Sequence, residues 1–243
     1  PDDETSRLLA KLSLYEGYYV SYVNAVRGQG GQNSIGPERD DNLGALRTYE
    51  LLKAMSVLRV DVGWLANSRN NSIVDFGLSK SAEETFEFWD KKYTIERMVR
   101  MVRAYKPDII IPTFLDVDGQ HGHHRAVTRA TIEAYDKSND PEMFPDDDFG
   151  PWKISQIFLP AWSGGGGSYD DEEDPPKATH SIDVGNFNHI YGGTYNQIGE
   201  WSRSYHATQN IGKLAHEDNI DVPLHLLKGK YVDGDITGGV IPK

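Results

Sequence analysis

The sequence predicts an α/β fold: a Rossmann-like, largely parallel sheet with helices on both faces, in a single domain spanning residues 1–243. Three observations carry this expectation. Strand-like and helix-like segments alternate along the chain, the pattern of parallel strands joined by crossover helices. Ile109, Ile110 and Ile111 form an unbroken apolar run, as in a central parallel strand covered on both faces. A chain of 243 residues is long enough for one well-cored α/β domain and short for two ordinary ones.

Taken in order, residues 4–12 carry Leu8, Leu9 and Leu12 at helical spacing, and residues 18–26, rich in Tyr and Val, read as a strand. Leu43, Leu46, Leu51, Ala54, Met55 and Leu58 mark an amphipathic helix over 43–58, with the next strand over 59–65. A second amphipathic helix over 94–105 carries Ile95, Met98, Val99 and Val102, and Pro107 ends it before the Ile-rich strand at 108–114. Residues 123–135 read as a helix, 154–160 as a strand, and 194–208 as a late helix after a short segment at 182–184, together too short for a second core. Between them, Gly164-Gly165-Gly166-Gly167-Ser168 and five consecutive acids from Asp170 to Asp174 predict a flexible, solvated loop over about 163–177. A second cation site is the other reading of those acids. Nothing identifiable is assigned to the last thirty or so residues.

Composition narrows the partners. A formal charge of −12 opposes binding to nucleic acid or an anionic membrane, both of which are held mainly by Lys and Arg. No apolar run approaches the roughly 20 residues of a membrane-spanning helix. With no cysteine there is no disulfide, thiolate ligand or cysteine nucleophile. The sequence shows no secretory leader, but it opens inside a motif, so its natural N-terminus is expected upstream. Cytoplasmic and secreted placements both stay open, as does the oligomeric state.

Two short motifs carry the chemistry. Pro1-Asp2-Asp3-Glu4 stands just ahead of a helical pattern, and one reading is an ordinary helix start, with proline in the first turn and acids at the positive end of the dipole. The other is a pair of carboxylates converging on one place, one to hold a cation and one to activate water. His121-Gly122-His123-His124-Arg125-Ala126-Val127 follows the Ile-rich strand by a short loop containing Asp116 and Asp118, at the carboxyl edge where open α/β sheets bind ligands. His121 and His124, three apart, share one face of a forming helix turn. Three histidines in four residues point to metal or catalytic use, imidazole being the commonest metal ligand.

Together these motifs resemble the two signatures of the PIG-L/LmbE-like zinc-dependent N-deacetylases, the N-acetylglucosaminyl deacetylases. The similarity continues through Arg27-Gly28-Gln29-Gly30-Gly31-Gln32-Asn33, Leu43-Gly44, Arg47-Thr48-Tyr49-Glu50-Leu51-Leu52, Val74-Asp75-Phe76-Gly77 and Arg203-Ser204-Tyr205-His206-Ala207-Thr208-Gln209. It covers residues 1 to about 212. It implies a hydrolase that removes the N-acetyl group from an N-acetylglucosamine-type amino sugar or conjugate, with one zinc per chain. Asp3 and His124 would be ligands, and the family's histidine before the Pro-Asp-Asp-Glu string the third. Asp2 would be the general base and His121 the oxyanion stabiliser. Glu4, Arg47, Asp75 and His206 would serve the substrate.

Two histidines and a carboxylate also suit ferrous iron, so Fe2+ is not excluded by the ligand set. Arg47 has a plain alternative in an i,i+3 salt bridge with Glu50. The family's second motif reads His-Pro-Asp-His, whereas Gly122-His123 occupies the middle here, leaving Asp116 or Asp118 as candidates to orient His121. Gly119 stands where some members place an assisting tyrosine. Two other classes remain as alternatives. One is a non-catalytic carbohydrate-binding module. The other is a nucleotide-binding Rossmann-type domain, suggested by Gly28-Gln29-Gly30-Gly31 without the full Gly-x-Gly-x-x-Gly pattern.

Overall fold

A computed structural model describes residues 1–66, 72–145, 148–163, 165–166, 169–210 and 220–239. The chain forms two compact units, one made of residues 1–77 and 182–222, the other of 78–181 and 223–243.

The first unit begins with α1 (Ser6–Leu14), β1 (Ser21–Asn24), α2 (Asp40–Leu58) and β2 (Asp61–Trp64). β1 and β2 pair in parallel, Ser21 opposite Asp61, with α2 as the crossover between them. α2 carries Asp40 and Asp41 in its first turn, at the positive end of its dipole. It stops where Arg59 turns into the left-handed region at φ 55° and returns its N–H to the Met55 carbonyl. Leu43, Leu51, Ala54, Met55 and Leu58 are fully buried along one face, as the 3.6-residue period requires.

The second unit holds α3 (Ala82–Trp89), α4 (Lys91–Tyr105), β3 (Ile109–Ile110), α5 (Gly122–Lys137), β4 (Gln156–Pro160), β5 (Gly165–Gly166) and β6 (Tyr169–Asp170). β3 and β4 pair in parallel across α5, the second β-α-β step. β7 (His180–Asp183) leads back into the first unit, which then adds β8 (Phe187–Asn188), β9 (Gly193–Thr194), α6 (Tyr195–Arg203) and a 3-10 turn at Ala207–Gln209. α6 opens on a full capping box, with Thr194 and Gln197 exchanging side-chain and backbone bonds. It packs on α1 so closely that a Cβ at Gly199 would lie 2.6 Å from the Arg7 backbone nitrogen. β10 (Asp221–Lys228) is the last strand among the described residues.

The α/β class holds, but the sheets are small and mixed in sense. β4 takes β10 antiparallel, with a bulge between Leu226 and Lys228, and the sheet runs in the order β3-β4-β10-β7. β5–β6 and β8–β9 are antiparallel pairs. The Ile-rich run is therefore not a central strand. Only Ile109 and Ile110 are paired, both are half-buried, and β3 sits at one end of that order. The doubly covered strand is β4, whose Ile157 and Phe158 are fully buried between β3 and β10.

α3 and β10 have no counterpart in the sequence reading. The expected loop at 163–177 and the last thirty residues fall partly outside the described residues. Among the described residues no helix is long and apolar enough to cross a membrane.

Candidate functional site

In the first unit, the Asp-Asp-Glu string does not start a helix. α1 begins at Ser6 after Thr5, and its first turn holds no acid, so residues 1–4 form an irregular lead-in. Asp2 there adopts φ 81°, a region that non-glycine residues enter at a cost of about 1–3 kcal/mol. Burial pushes the Asp2 carboxyl up to about 7, and the adjacent Asp3 carboxylate pushes the same way. Glu4 is almost completely buried, and its Oε1 lies 2.6 Å from His206 Nε2, a pair whose side chains are both inaccessible to solvent. Glu4 Oε2 and His206 Nδ1 are buried with no hydrogen-bond partner among the described residues.

The segment around His206 ties down the first motif. Gln209 Nε2 donates to the Pro1 carbonyl at 3.3 Å, while the N–H and hydroxyl of Thr208 donate to the two oxygens of Glu50 at 2.8 and 2.6 Å. Glu50 is thus occupied by Thr208, and the salt bridge offered as the plain explanation of Arg47 does not form. Arg47 instead donates to the carbonyls of Gly28 and Gln32, at 3.0 and 2.6 Å. Burial lowers its pKa, while Asp2, Asp75, Glu50 and Asp3 oppose that shift.

The glycine-rich turn after β1 is shaped by these residues. A Cβ at Gly31 would meet the Arg47 guanidinium at 2.5 Å, and one at Gly28 would meet it at 2.8 Å. A Cβ at Gly30 would lie 2.7 Å from Asp75 Oδ1. The glycines make room for the Arg47 guanidinium and the Asp75 carboxylate. Asp75 Oδ1 also accepts from the Gly77 N–H at 2.9 Å, fixing a tight turn.

In the second unit, the histidine motif occupies the loop from β3 into α5, and each ring has a different neighbour. His121 is the N-cap residue of α5, and its Nε2 faces the Ser79 N–H at 3.4 Å. Gly122 donates its N–H to the Ser79 carbonyl, and a Cβ there would lie 2.2 Å from Ser79 Oγ and 2.5 Å from the Ser81 carbonyl oxygen. That crowding accounts for glycine at this position. His123 stacks on the buried Trp89 of α3, ring centroids 5.0 Å apart, and is directed into packing.

His124 stacks on Phe114 at 4.0 Å, and its Nδ1 lies 2.7 Å from Gln120 Oε1. The His121 and His124 rings are 5.1 Å apart. Asp116 and Asp118 do not orient a histidine. Asp116 takes Arg125 and Arg129 on its two oxygens, and Asp118 takes Arg125. Gln120, which the sequence does not single out, meets the ring of His124 and accepts from the backbone N–H of His121, not from its ring.

Asp2, Asp3, Glu4, Arg47, Asp75 and His206 all belong to the first unit, His121 and His124 to the second. Among the described residues no group of three or more His, Asp and Glu side chains is gathered as a metal site. The donor types nonetheless suit a zinc ion, and His124 is held as metal-ligating imidazoles are, with one ring nitrogen hydrogen-bonded to an oxygen acceptor.

Comparison with known proteins follows the same lines. The chain is 30% identical over 175 residues to a 1D-myo-inositol 2-acetamido-2-deoxy-alpha-D-glucopyranoside deacetylase of Streptomyces scabiei (strain 87.22), a match covering 65% of this chain and 52% of that protein. It spans about half the length of the curated relatives it matches. In fold it resembles the N,N'-diacetylchitobiose deacetylase from Pyrococcus horikoshii, with a TM-score of 0.56 and 17% identity, covering 93% of this chain and 79% of the other. It equally resembles GalB, a 4-carboxy-2-hydroxymuconate hydratase from Pseudomonas putida KT2440, with a TM-score of 0.59 and 12% identity over 95% and 92% of the two chains. Both short motifs lie inside the stretch matched by one family model, described as GlcNAc-PI de-N-acetylase and aligned to residues 1–135, and the chain belongs to that family, PIG-L.

Proposed function

We propose that the protein is a metal-dependent hydrolase that removes the N-acetyl group from an N-acetylglucosamine-type amino sugar or conjugate. The PIG-L match enclosing both motifs carries this reading, because a fold shared with a hydratase does not by itself specify the chemistry. Asp3 and His124 would hold zinc, or ferrous iron, together with the histidine that the family places before the Pro-Asp-Asp-Glu string. When bound, the ion supplies Lewis acidity toward the acetamide carbonyl and the attacking water.

The chain's own residues do the rest. Asp2, its carboxyl near 7, is matched to accepting a proton from water at neutral pH and returning it to the departing amine. His121 donates an imidazole N–H to the developing oxyanion. Arg47 and Asp75 recognise sugar hydroxyls, one as a directional donor and the other as an acceptor. Glu4 and His206 act on the substrate side through Glu4 Oε2, the buried acceptor that the His206 bond leaves unused.

The test is amine release from N-acetylglucosaminyl-inositol and N,N'-diacetylchitobiose, before and after chelation and after adding back zinc. We expect turnover that falls on chelation and returns with metal. Sugar binding without amine release would instead favour the carbohydrate-binding module, and hydration of 4-carboxy-2-hydroxymuconate without deacetylation would overturn the reading.

A further inference from the structure

Gln120 is almost completely buried, and three hydrogen bonds converge on its amide. Its Oε1 lies 2.9 Å from the backbone nitrogen of His121 and 2.7 Å from His124 Nδ1, while its Nε2 lies 2.9 Å from Asp171 Oδ1. The chemistry of the partners removes the usual ambiguities of an amide and an imidazole. A backbone N–H only donates, so the amide atom facing His121 N is the oxygen. That oxygen only accepts, so His124 Nδ1 carries a hydrogen. A neutral His124 ring then has its lone pair on Nε2. The other end of the amide is the NH2 group, and it points at a carboxylate, as it must.

From this geometry we infer that Gln120 is a positioning residue: it fixes His124 in the Nδ1–H tautomer and turns Nε2 into the ligating atom, with Asp171 holding the amide in the correct orientation. The inference rests on reading His124 as a metal ligand. It also gives a role to the acidic segment after the glycine run, which the sequence presents as a solvated loop or a second cation site. Asp171 anchors that segment to the histidine motif, and Glu172 follows it, donating its N–H to the Asp118 carbonyl at 2.8 Å. The neighbouring carboxylates that could have done the orienting, Asp116 and Asp118, are committed to Arg125 and Arg129. An amide between carboxylate and imidazole transmits orientation without placing a second negative charge against the ring.

The experiment uses the full chain labelled with 15N-histidine, compared as parent, Gln120→Leu, Gln120→Glu and Asp171→Asn. Two quantities are read: the tautomer of neutral His124 in the metal-free protein, from its ring-nitrogen shifts, and the zinc dissociation constant by chelator competition. We expect the parent to show Nδ1–H. Gln120→Leu should give a mixture of tautomers and weaken zinc binding by about 10- to 100-fold, the usual effect of removing an outer-shell partner.

Gln120→Glu keeps an acceptor oxygen for Nδ1–H and should restore the parent tautomer, an outcome that mere loss of packing would not produce. Asp171→Asn should show a smaller change in the same direction as Gln120→Leu. An unchanged Nδ1–H tautomer in Gln120→Leu, or zinc affinity equal to that of a zinc-binding parent, overturns the inference. A parent that binds no zinc, while Gln120→Leu loses the Nδ1–H tautomer, overturns the metal reading and supports the orienting role of Gln120.

Discussion

The two motifs are built on opposite principles. The Asp-Asp-Glu string sets three acids in succession: Asp2 is held at φ 81° with its carboxyl raised by burial and by Asp3, Glu4 is buried against His206, and Arg47 donates to the Gly28 and Gln32 carbonyls. The histidine motif is assembled almost entirely from neutral contacts. Its rings stack on Trp89 and Phe114, an amide orients His124, and the nearby acids are paired with arginines. A motif of the first kind stores unfavourable electrostatics that a bound cation or a proton can relieve. One of the second kind stores shape. Loss of function in the first should therefore come through charge, and in the second through geometry.

The largest expected effect separates the two neighbouring carboxylates. Asp2→Asn should retain metal yet lower kcat by about 10² to 10⁴, the usual worth of a positioned base, whereas Asp3→Ala should lose the metal itself. Metal content and turnover measured on both variants decide the division of roles, and identical metal content in the two sinks it.

The same carboxylate gives the metal-free protein an inverted response to acid. The folded state holds the Asp2 proton up to about 7, against an ordinary value of 3.8, so between those limits it binds a proton that the unfolded chain releases. Stability contributed by Asp2 is therefore present at low pH and is lost as pH rises through about 7. The melting temperature of the parent minus that of Asp2→Asn should decline from about pH 5 to about pH 8. A flat difference would show that Asp2 is not desolvated.

His206→Ala comes next. It removes one member of a fully buried hydrogen-bonded pair and leaves Glu4 without its partner, a change that typically costs about 3–5 kcal/mol when the group left behind is charged. Chemical denaturation gives the number. Glu4→Gln in the same background should recover part of the loss, since it removes the uncompensated charge. Failure to recover would assign the cost to packing around the ring instead.

How much of this could be read in the sequence depended on the range of the interaction. Helices were legible because their signal is local: the apolar period of α2, α4 and α5 gives their extents to within a few residues. α3 went unread although Ser81 and Glu84 stand at capping-box spacing, and the Ser81 hydroxyl does accept from the Glu84 N–H. β10 alternates Val222, Leu224 and Leu226, but Pro223 argues against a strand there. The Ile-rich run misled because buried apolar sequence does not reveal which partner strands will flank it.

At the site, the motif residues themselves were visible, and their partners were not. Glu4 meets His206 across 202 positions, and Thr208 meets Glu50 across 158, distances at which no periodicity survives. The roles given to Gly122 and His123 follow from Ser79, Ser81 and Trp89, which only folding brings beside them.

On the geometric side of the comparison, Gly122→Ala should destabilise the protein by about 1–3 kcal/mol, the usual cost of overpacking. Its Cβ would press on Ser79 Oγ and on the Ser81 carbonyl oxygen. Adding Ser79→Gly removes the first contact but cannot move the backbone oxygen, so rescue should be partial. Complete rescue would mean that only the side chain constrains the turn.

The smallest effect tests whether the charges flanking the histidine motif matter as charges. Arg129 bonds both Asp116 and Glu83, but Glu83 is mostly exposed and Asp116 is not. The Arg129 hydrogen bond is the main cause holding Glu83 below the ordinary carboxylate range, yet exposed pairs of this kind are worth only about 0–1 kcal/mol. Glu83→Gln should therefore leave the melting curve nearly unmoved at any salt concentration, because Arg129 keeps its two bonds to Asp116. Asp116→Asn should cost more, since it loosens Arg125 and Arg129 together and with them the first turns of α5. If Glu83→Gln proved as costly as Asp116→Asn, the histidine motif would depend on surface charge after all, and the contrast with the Asp-Asp-Glu string would fail.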